Sequence, residues 1–192
     1  MSTLPGTKGE WRSHLTSARR AVPAEVRAAE AVAIAAFVRD LVHPGQTICA
    51  YVPVGTEPGS RPVLDDLLAS DVQVLLPVVN GTDPLDWAGY DGTLRPGPIR
   101  LLEPAGPRLG PTAIGRANLI LVPGLAVDTA GVRLGRGAGH YDRSLVFAAP
   151  GAALVGVVRD QEFVANLPAE PHDVRLTAVL TPGRGMIEVT RP

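Results

Sequence analysis

Two helical patterns open the chain. Thr7 followed three residues later by Glu10 makes a capping box, in which a hydroxyl and a carboxylate satisfy the free amides of a helix start, and a helix is predicted over 7–21. Pro23 suits the first turn of a second helix, which Val26, Ala29, Val32, Ala33, Ala36 and Phe37 carry at three- and four-residue spacing to Leu41. His43, Pro44 and Gly45 stop it. The period then changes: residues 47–52 form a short apolar run with β-branched and aromatic side chains, predicted as a strand that ends at Pro53, with a loop over 54–60. A helix over 62–69, a strand over 72–76 and a strand of mixed pattern over 85–90 follow. Residues 81–115 hold seven glycines and six prolines, which predicts a long loop crossing the surface, either ordered by the fold or acting as a lid. The clearest buried strand is 118–122. A glycine-studded segment over 124–139 and a short helix over 141–146 come next, and strands at 153–158, 178–181 and 186–189 complete the pattern.

Helices alternating with short, continuously apolar strands give the expected fold class: α/β, a single three-layer α/β/α domain over 1–192 with a mainly parallel sheet. Ligands in such folds lie beyond the carboxyl ends of the strands, which points to the loops after Tyr51, Val122 and Val158.

Composition narrows the function classes. The chain has 192 residues and is 45% hydrophobic, enough to bury a core, while 21 glycines and 19 prolines make it rich in turns. A formal charge of -1 provides no long-range attraction to nucleic acid or an anionic membrane, and 4% aromatic content gives no platform for stacking bases. Any polyanion must be met by a local cluster. Cys49 is the single cysteine, which excludes an intrachain disulfide and suits a reducing cytoplasm. The apolar run 31–38 is too short to span a bilayer, so a cytoplasmic protein with neither membrane nor nucleic-acid partner is expected. No extended exposed apolar stripe stands out, and a monomer is the default expectation.

The segment 133–139, Arg-Leu-Gly-Arg-Gly-Ala-Gly, places small residues and guanidinium groups between a strand and a helix. Glycines let backbone amides approach an oxyanion, arginines supply bidentate charged donors, and the next helix adds its positive end, so the segment reads as a phosphate cradle. A glycine-rich turn with solvated arginines is the competing reading. Neither a P-loop nor the full dinucleotide fingerprint is present. Asp142 directly follows the cradle and Asp173 lies in a Pro-His-Asp loop; each is a hard carboxylate able to take part in a magnesium site, and each also has an ordinary structural reading. Lys8, the only lysine, shares a helix face with Arg12. Glu57, in the loop after the first strand, could accept hydrogen bonds from the donor edge of a heterocycle or simply be solvated.

The order Lys8-x-x-x-Arg12, Tyr51-x-Pro53-x-x-x-Glu57, Glu103-Pro104, Val122-Pro123-Gly124-Leu125, Asp128-x-x-Gly131-x-Arg133-Leu134-Gly135-x-Gly137-x-Gly139-x-Tyr141-Asp142-Arg143 and His172-Asp173 resembles the 5-formyltetrahydrofolate cyclo-ligase family nearly end to end. The resemblance implies a ligase that closes a ring in 5-formyltetrahydrofolate to give 5,10-methenyltetrahydrofolate, using ATP as co-substrate and Mg2+ and releasing ADP and phosphate. It implies ATP contacts from Lys8, Arg12, Arg133, Leu134, Gly135, Arg136, Gly137, Ala138, Gly139, His140 and Tyr141, with Arg133, Arg136 and Tyr141 acting on the reacting groups. It further implies folate contacts from Val52 and Glu57 and magnesium ligands in Asp142 and Asp173. Three positions depart from the family pattern: His140 replaces an aromatic residue, Val127 stands where Phe is usual, and Pro58-Gly59 follows Glu57. Two rival readings accompany it: a homologue that binds ATP or folate with little turnover, and an unrelated phosphosugar enzyme using the same kind of cradle, for which no acid/base pair is evident.

Overall fold

The computed structural model describes residues 6–98 and 101–189. Helix α1 (Lys8–Ala21) begins at the expected capping box: Thr7 Oγ1 accepts from Glu10 N at 3.2 Å, and Glu10 Oε2 accepts from Thr7 N at 3.0 Å. Helices α2 (Ala24–Asp40) and α3 (Pro62–Ala69) follow the predicted spans closely. The main sheet has seven strands: β1 (Thr47–Cys49), β2 (Gln73–Val78), β3 (Asp86–Gly89), β6 (Leu119–Pro123), β9 (Ala153–Val157), β11 (Ala178–Thr181) and β12 (Gly185–Glu188).

Their order is β12-β11-β9-β6-β1-β2-β3. The five central strands run parallel, while β3 and β12 pair antiparallel at the two edges. Because β1 pairs with both β2 and β6, the chain builds outward in two directions from the β1/β6 boundary. That boundary is the topological switch point, where a crevice opens beyond the carboxyl ends of the strands.

Alternation along each strand divides the core. Ile48, Val74, Leu76, Leu121, Val155 and Leu180 face α2 and α3, packing on Ile34, Val38, Leu64 and Leu67. Their neighbours Cys49, Leu75, Ile120, Leu154 and Val179 face the opposite layer. That second layer differs from the helical cover the alternation predicts. It consists of a 3₁₀ helix (Pro111–Arg116), the six-residue α4 (His140–Leu145) and a three-stranded sheet of β7 (Ala126–Asp128), β8 (Arg133–Leu134) and β10 (Phe163–Val164).

Two expectations are corrected. The strand expected over 47–52 ends at Cys49, with one further bond from Ala50 N to Leu75 O at 3.0 Å, and the buried Tyr51 hydroxyl donates to Pro58 O at 2.6 Å. The long loop expected over 81–115 is interrupted by regular elements among the described residues: after β3 comes a hairpin of β4 (Leu94–Pro96) and β5 (Leu102–Pro104), then the 3₁₀ helix. No described helix is long and apolar enough to cross a membrane.

Candidate active site

A cleft of about 390 Å³ opens at the switch point. All fifteen candidate residues line it: Lys8, Arg12, Val52, Glu57, Arg133, Leu134, Gly135, Arg136, Gly137, Ala138, Gly139, His140, Tyr141, Asp142 and Asp173. Of the three loops indicated by the strand ends, those after β1 and β6 form its walls. The loop after β9 does not line it.

Asp128 organises the cradle. Its buried carboxylate accepts from Ala130 N at 3.0 Å and Val132 N at 2.8 Å, closing the turn between β7 and β8, and from Leu167 N at 3.0 Å. The turn delivers Arg133, whose Nη2 pairs with Asp142 Oδ1 at 2.9 Å and whose guanidinium lies 5.5 Å over the Tyr141 ring. Arg133 Nε is buried without a partner among the described residues. A Cβ on Gly135 would stand 2.7 Å from Arg133 Nη1, so a side chain there would have to displace this guanidinium. Gly137 and Gly139 have φ of +108° and +69°, left-handed conformations that let the loop turn into α4.

Helix α1 straps the cleft from outside. Trp11 and Leu15 pack on Leu125, Val132, Leu134 and Leu167, which fixes the helix and aims its first turn inward. Arg12 Nε donates to Gly135 O at 3.0 Å. Lys8 Nζ donates to Glu170 Oε2 at 2.5 Å and Asp173 Oδ2 at 2.8 Å. Burial opposes the Lys8 charge, but hydrogen bonds and charge from Asp173 and Glu170 outweigh it and hold the ammonium above its ordinary 10.5. Burial likewise opposes the Asp173 carboxylate, yet Lys8 and the Glu170 amide hold it below 3.8.

On the opposite wall Glu57 folds back on its own turn. Oε2 accepts from Val54 N at 2.9 Å, and Oε1 accepts from Arg136 Nε at 2.9 Å. Tyr141 stands between the walls, with burial first and Glu57 second pushing its hydroxyl well up, so it remains a proton donor at neutral pH. His140 opens α4, with Nδ1 3.4 Å from Arg143 Nη2, and Ser144 Oγ ties the helix to β3 by accepting from Leu85 N at 2.8 Å.

Several lining residues carried no assigned role in the sequence. Leu101, Leu102 and Glu103 come from the β4–β5 hairpin, Pro77 and Val79 from the end of β2, and Glu170 from the loop before Asp173. Glu103 had a visible signal in the Glu103-Pro104 pair; in the fold it is buried and accepts from Val79 N at 2.8 Å. The hairpin that delivers it has three-residue strands, too short to show a period.

The sheet order and the crevice at its switch point, lined by Lys8, Arg12, Arg133 and Arg136 beside five carboxylates, define an α/β protein with a mostly parallel sheet and a charged cleft. The chain belongs to the 5-formyltetrahydrofolate cyclo-ligase family, whose model matches residues 5–182, and is accordingly a ligase. It is 49% identical over 189 residues to the 5-formyltetrahydrofolate cyclo-ligase of Mycolicibacterium smegmatis, covering 95% of this chain and 97% of that one. The Escherichia coli K12 cyclo-ligase is 27% identical over 158 residues, covering 78% and 87%. In fold the chain resembles the Aquifex aeolicus 5,10-methenyltetrahydrofolate synthetase, at a TM-score of 0.80 and 24% identity over 96% of this chain and 94% of that one. It also resembles the Mycoplasma pneumoniae 5,10-methenyltetrahydrofolate synthetase, at 0.72 and 18% over 90% and 96%.

Proposed function

We propose that the protein converts 5-formyltetrahydrofolate to 5,10-methenyltetrahydrofolate, with ATP cleaved to ADP and phosphate. The observation that carries this reading beyond family membership is the pairing of two unlike walls in one cleft. The glycine loop offers Arg133 and Arg136, and α1 adds Arg12, to a polyanion, while the loop after β1 offers the Glu57 carboxylate beside the apolar Val52. The first suits a triphosphate and the second a flat heterocycle with N–H donors.

In the proposed sequence the formyl oxygen attacks the γ-phosphorus of ATP and ADP leaves, giving an iminium phosphate at N5. N10 then adds to the activated carbon, its proton is lost and phosphate departs, leaving the methenyl bridge. No covalent bond to the protein forms. The protein aligns two substrates and neutralises charge spreading over the phosphoryl group. Arg133 and Arg136 supply that charge, and the protonated Tyr141 hydroxyl supplies a neutral donor. Lys8 and Arg12 close over the phosphates from α1. Leu134, Gly135, Gly137, Ala138, Gly139 and His140 form the loop against which the nucleotide lies.

The charge balance of the cleft fits a divalent cation. Lys8, Arg12, Arg133 and Arg136 bring four positive charges, whereas Glu57, Glu103, Asp142, Glu170 and Asp173 bring five negative ones, a poor match for a bare triphosphate. Asp142 and Asp173 are hard oxygen donors suited to Mg2+, with Asp173 in a cluster with Glu170 and His172 whose ligand atoms lie within 4.8 Å of one another. When bound, Mg2+ would neutralise phosphate oxygens.

Labelling the formyl oxygen with 18O tests this sequence. The label is expected in released phosphate; label retained in the folate or lost to water would contradict attack by the formyl oxygen.

A further inference from the structure

Behind the cleft, four charged side chains form a network that the reaction does not use. Arg19, Arg159 and Glu162 are almost completely buried, and Glu30 closes the cluster from α2. Glu162 takes both ends of a fork from Arg19, Nε to Oε1 and Nη2 to Oε2, each at 2.7 Å. Glu162 Oε2 also accepts from Arg159 N at 2.8 Å, and Arg159 Nε donates to Glu30 Oε2 at 2.7 Å. Two cations and two anions balance, and none lines the cleft.

Each guanidinium nevertheless extends one contact out of the network to a wall of the cleft. Arg19 Nη2 donates to Gly124 O at 2.6 Å, and Arg159 Nη1 donates to Thr56 O at 3.0 Å. Gly124 lies directly against Arg133: a Cβ there would be 3.2 Å from Arg133 Cγ. Thr56 immediately precedes Glu57. The two contacts therefore end beside the principal arginine of the nucleotide wall and the carboxylate of the folate wall, with Glu162 between them.

Stability alone is a weak reason for this arrangement. Desolvating paired charges costs about as much as their attraction returns, and apolar packing of the same volume is often as stable. An ion network does fix distances, however, because a fork bound to a carboxylate tolerates little displacement.

We propose that Arg19 and Arg159 are positioning residues for the two substrates, Arg19 for ATP through Gly124 and Arg159 for the folate through Thr56, with Glu162 setting the spacing between the walls. The assignment of substrates to walls rests on the cyclo-ligase reading above. Lysine in place of either arginine keeps the charge beside Glu162 and loses the second arm.

Steady-state kinetics of Arg19→Lys and Arg159→Lys, with thermal melts of each, test the proposal. Arg159→Lys is expected to raise KM for 5-formyltetrahydrofolate about five-fold, the size of one lost hydrogen bond, while leaving KM for ATP within about two-fold. Arg19→Lys is expected to do the reverse. A third variant, Glu30→Gln, at the solvent edge of the network, still accepts from Arg159 Nε but removes the charge, and keeps the test open should a lysine variant not fold; it is expected to share the folate bias of Arg159→Lys. Equal changes in both KM values, or a lowered melting temperature with unchanged KM values, would overturn the positioning role. A folded wild-type protein without activity would instead overturn the cyclo-ligase reading.

Discussion

Arg136 Nε donates to Glu57 Oε1 at 2.9 Å, so one ion pair joins the glycine loop to the loop after β1 across the cleft. Arg136 is 54% exposed and Glu57 11%, so water screens the arginine end and the pair contributes on the order of 1 kcal/mol to stability. Its importance lies in occupancy, since an Arg136 turned toward phosphate releases an oxygen of Glu57. A non-hydrolysable ATP analogue is therefore expected to tighten 5-formyltetrahydrofolate binding about three-fold in the wild-type protein and to have no such effect in Arg136→Ala. Titration calorimetry with and without the analogue reads this directly; equal coupling in both proteins would contradict the exchange.

The two walls are expected to separate by mutation. Arg133→Ala removes a buried guanidinium from the cradle and should weaken ATP binding ten-fold or more, while changing folate binding little. Glu57→Ala should do the reverse. Calorimetric titration of each ligand against each variant checks the division, and parallel losses for both ligands would count against it.

Gly135 provides a more local test of the cradle. A methyl group there would sit 2.7 Å from Arg133 Nη1, and Arg133 is held in place by Asp142. Gly135→Ala is expected to weaken ATP binding about as much as Arg133→Ala while keeping the folded state, as measured by calorimetry beside a thermal melt. Unchanged ATP affinity would mean that the guanidinium has room to move.

Much of this molecule was legible because its signals are local. The Thr7–Glu10 capping box and the α3 span follow from residues a few positions apart, and the Arg133–Tyr141 loop has an unusual density of glycine and arginine. The small sheet was not legible: β8 and β10 have two residues each, and β10 pairs with β7 by joining residues 127 and 163, far apart in sequence. The end of β1 was misplaced for a related reason. Residues 50–52 remain apolar, but Tyr51 turns its hydroxyl to Pro58 O, a choice made by the loop rather than by the run. At the site, Glu103 was visible as part of a motif and gained a location only when the β4–β5 hairpin brought it to Val79. Arg19 and Arg159 look like ordinary surface arginines in sequence, and only the fold buries them.

The Lys8 strap has a pH window. Asp173 has its pKa lowered below 3.8, so its contribution is present above that value and is lost as pH falls through the folded-state pKa. Lys8 has its pKa raised above 10.5, so its contribution is full below that value and is lost as pH rises through the folded-state pKa. Lys8→Met should therefore melt at a lower temperature than wild type from about pH 5 to about pH 10, with the difference shrinking on either side. Lower turnover at neutral pH is expected as well, through lost phosphate contacts. A melting difference independent of pH would assign Lys8 a packing role only.

The most direct test mixes purified protein with 5-formyltetrahydrofolate, ATP and Mg2+ and follows the near-ultraviolet absorption of the methenyl product. Absorption should rise with one ADP released per product, and neither should appear without either substrate. Folded protein that binds both ligands and forms no product would contradict the account and leave a binding homologue in its place.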